Sequence, residues 1–249
     1  MIRTLVLDIE TKPILAYVWG LKDQFINLDA IKEDWSVMAW SAKWLGEPAS
    51  QIAYRDMRGR KDLLQDQHIL RPLWKLLDEA DVVITQNGAS FDGPKLNARF
   101  IHHGMKPPSP YRHLDTYRIA KFAAAFTSNK LEYLTDKLCV KYKKLKHKKF
   151  PGFSLWKECM KGNIDAWDEM QKYNIHDVLS TEELYTKLQA WAPKTAPLIS
   201  DRPGICGRCG DNALMRNGTR IAMGKVVLRL RCYSCGANST TKIKSLTKG

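Results

Sequence analysis

Asp8 and Glu10 stand two residues apart in LVLDIETKP (residues 5–13), where Leu5, Val6, Leu7 and Ile9 give the run the apolar character of a core strand. Side chains on a strand alternate between faces, so the two carboxylates point the same way. Adjacent carboxylates repel, and burying them without partners is unfavourable. A hard divalent cation such as Mg²⁺ would relieve both penalties, because it is held by carboxylate oxygens. The alternative is a strand end at which both acids face water.

Two more acids occupy suggestive places. Asp92 ends TQNGASFD (85–92), between an apolar strand-like run and a helix-like segment, and Tyr173 and Asp177 stand four apart in YNIHD (173–177). The second spacing stacks two side chains on one face of a helix. A different chemistry lies near the C-terminal end. CGRC (206–209) and CYSC (232–235) are separated by twenty-two residues. Cys206, Cys209, Cys232 and Cys235 are the ligand set of a closed tetrahedral zinc site. Gly210 and Gly236 follow the two knuckles and free the backbone to turn its N–H groups toward the sulfurs. Cys139 and Cys159 lack such neighbours and read as reduced thiols, and His102, His103 and His113 read as surface or helix-end residues.

The elements that must position these groups can be read from the apolar pattern. VMAWSAKWLG (37–46) and QIAYRDM (51–57) read as strands beside the opening one, in an antiparallel meander. Residues 62–80 have helical spacing, with a break or kink expected near Pro72. DVVITQNG (81–88) reads as a buried strand, and 94–104 as a helix opened by Pro94 and closed by Gly104. Residues 113–126 start as a strand and turn helical, 130–140 read as helical, and a long amphipathic helix is expected from about Asn163 to Trp191. Beyond a linker at 198–204, ALMRNGTR, with an Asn217–Gly218 turn, and the alternating strand KVVLRLRC suggest hairpins clipped by the four cysteines. The order of elements fits an α/β fold: a ribonuclease-H-like mixed β-sheet flanked by helices, plus a small β zinc-ribbon domain.

Charge narrows the partners. The chain of 249 residues has net charge +14 and is 44% hydrophobic, which suits a real core and a polyanionic partner, nucleic acid before membrane. Residues 201–249 hold ten Lys/Arg against two acids, and KLCVKYKKLKHKK (137–149) holds seven Lys and no acid. Taken alone, the lysine run reads as a solvated loop. Zinc with four thiolates lowers the ribbon from +8 to +6, which leaves it basic. No run approaches the ~20 apolar residues of a membrane span, and the start of the chain lacks the pattern of a signal peptide, so a cytoplasmic protein is expected.

In order and spacing, three segments resemble the exonuclease motifs of the DnaQ-like 3′→5′ exonucleases. Asp8-Ile9-Glu10 is similar to the first (D-x-E), Asn87 to Asp92 to the second (N-x₃-F-D), and Tyr173 to Asp177 to the third in its tyrosine form (Y-x₃-D). The histidine form needs Asp five positions after His, and His176 has Thr181 there. The resemblance covers about residues 1–190. The chain then divides into a domain of this kind over 1–197, a linker over 198–204 and, from the cysteine spacing, a four-cysteine zinc ribbon with a basic tail over 205–249. The resemblance also implies hydrolysis from the 3′ end, DNA ahead of RNA, with two Mg²⁺ or Mn²⁺ ions. Asp8 would bridge both ions, Glu10 and Asp177 would complete the first site, Asp92 would serve the second, and Tyr173 would orient water. By the same resemblance Thr11 would seat the 3′ end, Asn87 and Phe91 would hold terminal nucleotides, and Asp115 would give structural support. In the ribbon, Arg216, Arg220, Arg229 and Arg231 are placed to grip phosphates, unless the ribbon docks a replication or repair partner. Alternatives on the same fold are an exoribonuclease, a structure-selective endonuclease and a non-catalytic nucleic-acid-binding adaptor. A dead relative should have lost an acid, and here all four are present.

Overall fold

The computed structural model describes residues 2–22, 24–145, 149–222 and 224–242. Residues 146–148 of the lysine run and 243–249 of the basic tail lie outside the described residues. The first strand, β1 (Thr4–Lys12), is followed by a small hairpin, β2 (Leu15–Ala16) and β3 (Ile31–Glu33), and then by β4 (Ser36–Trp44) and β5 (Ala53–Asp56). Helix α1 (Gln67–Asp78) leads to β6 (Val82–Thr85), α2 (Asp92–His102), β7 (Arg112–Asp115), α3 (Thr116–Ala123) and α4 (Leu131–Leu138). Then come α5 (Ser154–Met160), the 25-residue α6 (Ile164–Leu188), and β8 (Leu214–Ala222), β9 (Lys225–Cys232) and β10 (Asn238–Lys242). The main sheet has the order β5-β4-β1-β6-β7, with β4 antiparallel to both neighbours and the β1-β6 and β6-β7 pairs parallel. This is the mixed, helix-flanked, ribonuclease-H-like sheet expected from the sequence.

Alternation along β1 divides the core. Leu5, Leu7 and Ile9 pack with Ile69, Leu70, Leu73 and Leu77 of α1 and Leu96 and Phe100 of α2. Val6 joins Ile119 of α3, Leu134 of α4 and Val178, Leu184 and Tyr185 of α6 on the other face. Asp8 and Glu10 continue the face of Val6, so the acids emerge where α6 crosses the sheet. Pro72 sits inside α1 rather than at a break. Its ring removes one helical hydrogen bond, at roughly 3 kcal/mol. Four buried apolar side chains at about 1.5–3 kcal/mol each outweigh that loss. Between β1 and β4 the chain leaves the core and exposes Tyr17, Trp19, Leu21, Phe25 and Leu28.

The ribbon sheet has the order β10-β9-β8. Here the expected Asn217–Gly218 turn is corrected. Both residues lie within β8, where the register shifts between Arg216 and Thr219 and Gly218 takes φ +75°. An Asn-Gly pair serves a bulge as well as a turn, because both need a left-handed residue. The ribbon packs on what precedes it. Arg208 donates to the carbonyl oxygens of Pro193, Ala196 and Pro197, and the Tyr185 hydroxyl donates to the Arg208 carbonyl. No helix among the described residues is long and apolar enough to cross a membrane.

One polar knot ties α1 and α2 to the sheet. The fully buried Asp66 carboxylate accepts from the Val37 N–H at 2.8 Å and from the Arg99 guanidinium at 2.8–3.2 Å, with the His103 ring at 2.5 Å. Asp66→Ala leaves a buried guanidinium without its counter-ion, a change that costs about 3–5 kcal/mol. Chemical denaturation is expected to show a loss of that size. A loss below about 1 kcal/mol would mean that the knot is not coupled to folding.

Candidate active site and cysteine centre

The parallel strands end on one edge of the sheet, and the candidate residues gather there. β1 outruns β6, whose pairing covers only Thr4 to Val6 of β1. The freed Ile9 N–H donates instead to Asp92 Oδ1 at 3.1 Å. Asp92 thereby reaches β1 from the first turn of α2, where the helix dipole favours a negative charge. From the other side, α6 brings Tyr173, Asn174 and Asp177, all buried. One carboxylate oxygen from each of Asp8, Glu10 and Asp177 lies within 4.8 Å of the others. That spacing and donor chemistry fit a hard divalent cation. Asp92 stands outside this set of three, close enough to raise the pKa of both Asp8 and Glu10.

Four residues given no site role from the sequence complete the cleft. The Asn174 side-chain amide donates to Asp8 Oδ2 at 2.6 Å, and the Ser41 hydroxyl, opposite Asp8 on β4, donates to the Asn174 carbonyl at 2.8 Å. Trp156, on α5, hydrogen-bonds Glu10 and sets its ring edge-on to Tyr173 at 6.1 Å. Lys144 pairs with Asp177 at 2.8 Å and lies 4.7 Å from the Tyr173 ring centre. The reading of the lysine run as a solvated loop therefore fails at Lys144, which turns inward to the largest concentration of negative charge in the cleft. Asn174 could have been noticed as a polar residue on the buried face of α6. Trp156 and Lys144 carry no signal, because neither α5 nor the path of the loop has a distinctive pattern.

The loop before α2 is held by Asp115, whose carboxylate accepts from the Asn87 N–H at 2.8 Å and the Ala89 N–H at 3.2 Å and also caps α3. This is the supporting role expected of it. Asn87 takes φ +64°, a conformation that Asn tolerates better than most residues. A Cβ on Gly88 would lie 2.4 Å from Thr85 Oγ1 and 2.7 Å from Asp92 Oδ2, so only glycine lets the loop close on Asp92. Phe91 is 39% exposed beside Asp92, with Lys95 Nζ 5.8 Å from its ring and 3.6 Å from that of Trp35. Thr11 follows Glu10 at a register shift in β1. His113 is half-buried beside Thr85 Oγ1, and His103 is in the Asp66 knot, so neither joins a metal set.

In the ribbon, one sulfur from each of Cys206, Cys209, Cys232 and Cys235 lies within 4.8 Å of the others. The Asp211 and Ala237 N–H groups, next after Gly210 and Gly236, hydrogen-bond the sulfurs of Cys209 and Cys235. Four thiolates so supported fit a zinc ion. Strand register places Arg220, Arg229 and Arg231 on one face of the ribbon and Arg216 on the other.

A family model described as the RNase H superfamily matches residues 49–189. The chain belongs to that superfamily. Among solved structures it is similar to the family B DNA polymerase from the hyperthermophilic archaeon Pyrobaculum calidifontis, at 14% identity and TM-score 0.47. That likeness covers 76% of this chain and 25% of the polymerase chain, so the chain spans only a part of the polymerase. No curated protein matches.

Burial raises the pKa of Asp8 well above the carboxylate range, and the charges of Asp177, Glu10 and Asp92 add to it. Burial and Asp177 push Glu10 up to about 8, against the Lys144 charge, and burial pushes Asp92 to about 7. Folded protein without Mg²⁺ or Mn²⁺ therefore holds these protons more tightly than the unfolded chain does. For Glu10, between its ordinary value of 4.5 and about 8, the native state binds more protons, so stability falls as pH rises. Melting in buffer free of Mg²⁺ and Mn²⁺ is expected to occur at lower temperature at about pH 8 than at about pH 5.5. Glu10→Gln should flatten this slope and raise the melting temperature at the higher pH. An unchanged slope would remove Glu10 from the coupled set.

Proposed function

We propose that this chain is a metal-dependent nuclease of the DnaQ-like tyrosine type, removing nucleotides from the 3′ end of nucleic acid, DNA ahead of RNA. The observation that carries the reading is the convergence of Asp8 and Glu10 from β1 with Asp177 from α6, beside Asp92 and Tyr173. The proposed nuclease domain is residues 1–197, joined by 198–204 to a four-cysteine zinc ribbon over 205–249. The 3′ direction rests on the three-motif resemblance, and superfamily membership supports phosphodiester chemistry.

Asp8, Glu10 and Asp177 would hold one Mg²⁺ or Mn²⁺, and Asp8 with Asp92 a second. Bound there, such ions would supply an activated water and stabilise the attacking and leaving oxygens. The chain's own residues do the rest. Asn174 fixes Asp8 by donating to Oδ2, leaving Oδ1 for a cation. Trp156 orients Glu10 and closes one side of the cleft. Burial and the neighbouring Asp177 raise the Tyr173 pKa, so its hydroxyl keeps its proton and positions water instead of acting as a base. Lys144 offsets the charge of Asp177. In this reading Thr11, Asn87 and Phe91 would hold the 3′-terminal nucleotide.

The test is incubation of protein and Mn²⁺ or Mg²⁺ with 5′-labelled single-stranded DNA, duplex DNA and RNA. Shortening from the 3′ end of one substrate is expected, and a single internal cut would favour the endonuclease alternative. Asp8→Asn should abolish cleavage while the protein stays folded. Full activity in that variant would sink the assignment. Tyr173→Phe should slow single-turnover cleavage by on the order of 10²-fold, with binding nearly unchanged. A wild-type rate would take Tyr173 out of the mechanism.

A further inference from the structure

A second basic site lies away from the acids, where the ribbon meets the segment that follows α6. Residues 194–208 form one wall of a groove of about 630 Å³ and strands β8 to β10 form the other. Its cations are Lys194, Arg202, Arg208, Arg220 and Arg229, against the single carboxylate of Asp201, with the hydroxyl residues Ser239, Thr240 and Thr241 among them. The cations divide by function. Arg208 is committed to three carbonyl oxygens, and Arg229 Nε donates to the Asn217 carbonyl at the β8 bulge, so these two build the walls. Lys194, Arg202 and Arg220 are exposed, and the ion pairs of the described residues include none of them. Lys194 and Arg202 come from the segment that follows α6 and Arg220 from β8, and the three line one concavity.

We propose that this groove binds the phosphodiester backbone of a single strand of nucleic acid. Unneutralised cations beside the Thr240 hydroxyl suit phosphate oxygens, and a groove that tracks a backbone is how single strands are held without sequence preference. Register supports the assignment, because Arg220 and Arg229 share a face of the ribbon with Thr240. Arg216, on the opposite face, is outside the groove. α6 links the two sites. At about 1.5 Å per residue, its end at Leu188 is about 17 Å along the axis from Asp177. A dinucleotide in the acid cleft would not reach the groove, whereas a longer strand would. The groove adds affinity for long strands to the nuclease reading, but its binding does not require cleavage.

The experiment measures binding of a fluorescent single-stranded 20-mer to full-length zinc-loaded protein, without Mg²⁺ or Mn²⁺, at several salt concentrations. The triple variant Lys194→Gln, Arg202→Gln, Arg220→Gln is compared with a variant losing three exposed cations elsewhere, Lys61→Gln, Lys75→Gln, Lys121→Gln. The groove variant is expected to bind more weakly and to lower the log–log salt slope by about 2, at roughly 0.7 per contact on single strands. The control should match wild type. Zinc content and melting temperature establish that each variant is folded, and Arg220→Gln alone, with an expected slope change of about 0.7, serves if the triple variant is not. Equal affinity and slope in folded groove variants and wild type would overturn the proposal and leave the face to a protein partner. So would equal losses in the groove and control variants. Cleavage of a dinucleotide, unaffected by the groove in this scheme, reports separately on the acid site, so failure of one reading is distinguishable from failure of the other.

Discussion

Like-charge crowding on one face of β1 is the constraint around which the rest of the molecule is arranged. Asp8 and Glu10 share a face by strand geometry alone, and α6 adds Asp177 within carboxylate contact distance. Three such groups in a partly dry cleft are unfavourable unless each has a partner. The fold answers with one neighbour per acid: the Asn174 amide for Asp8, the Trp156 indole for Glu10 and the Lys144 ammonium for Asp177. The partners come from α6, α5 and the lysine-rich loop, so three otherwise unrelated elements converge on this edge. Asp92 is handled differently. It takes a backbone N–H that a longer β6 would have occupied, so the short pairing of β6 with β1 makes room for the fourth acid.

This division explains what could be read in advance. The clustering of the acids and of the cysteines was legible because each set has residue types at fixed spacing, and spacing survives in a sequence. The sheet was legible because Val82–Thr85 and the β1 run are apolar and short, and α6 because its pattern persists over many turns. The rest depended on tertiary packing. Trp156 and Lys144 are placed by α5 and by a loop whose sequence reads as solvated charge. Pro72 is carried through α1 by side chains that bury elsewhere. The Asn217–Gly218 pair is ambiguous in principle, since turn and bulge require the same backbone conformation. Its assignment waited on the pairing of β8 with β9.

Candidate substrate contacts were less legible than candidate ligands for the same reason. Phe91 could be core or platform from sequence, and only its exposure beside Asp92 and Lys95 favours the second. The four ribbon arginines looked equivalent as letters. Register separates Arg216 from the other three, because one step along a strand moves a side chain to the opposite face.

The acid cleft and the cysteine centre would depend on bound metals in different ways. The acids hang on a sheet with apolar cores on both faces, and Asn174, Trp156 and Lys144 already satisfy part of their demand. The main fold therefore has sources of stability besides the ions. The ribbon's core of described residues contains only Cys206, Cys232 and Ala237 as buried members. So small a cluster cannot offset the ordering of a three-stranded sheet, and a zinc–thiolate centre would have to supply the difference. Arg208 lies between Cys206 and Cys209, and it is also the residue that grips the carbonyls of 193–197. Geometry that a metal would impose on the knuckle would therefore pass directly to the segment leading back to α6. The same short stretch sets the shape of the ribbon and its position on the nuclease-like body.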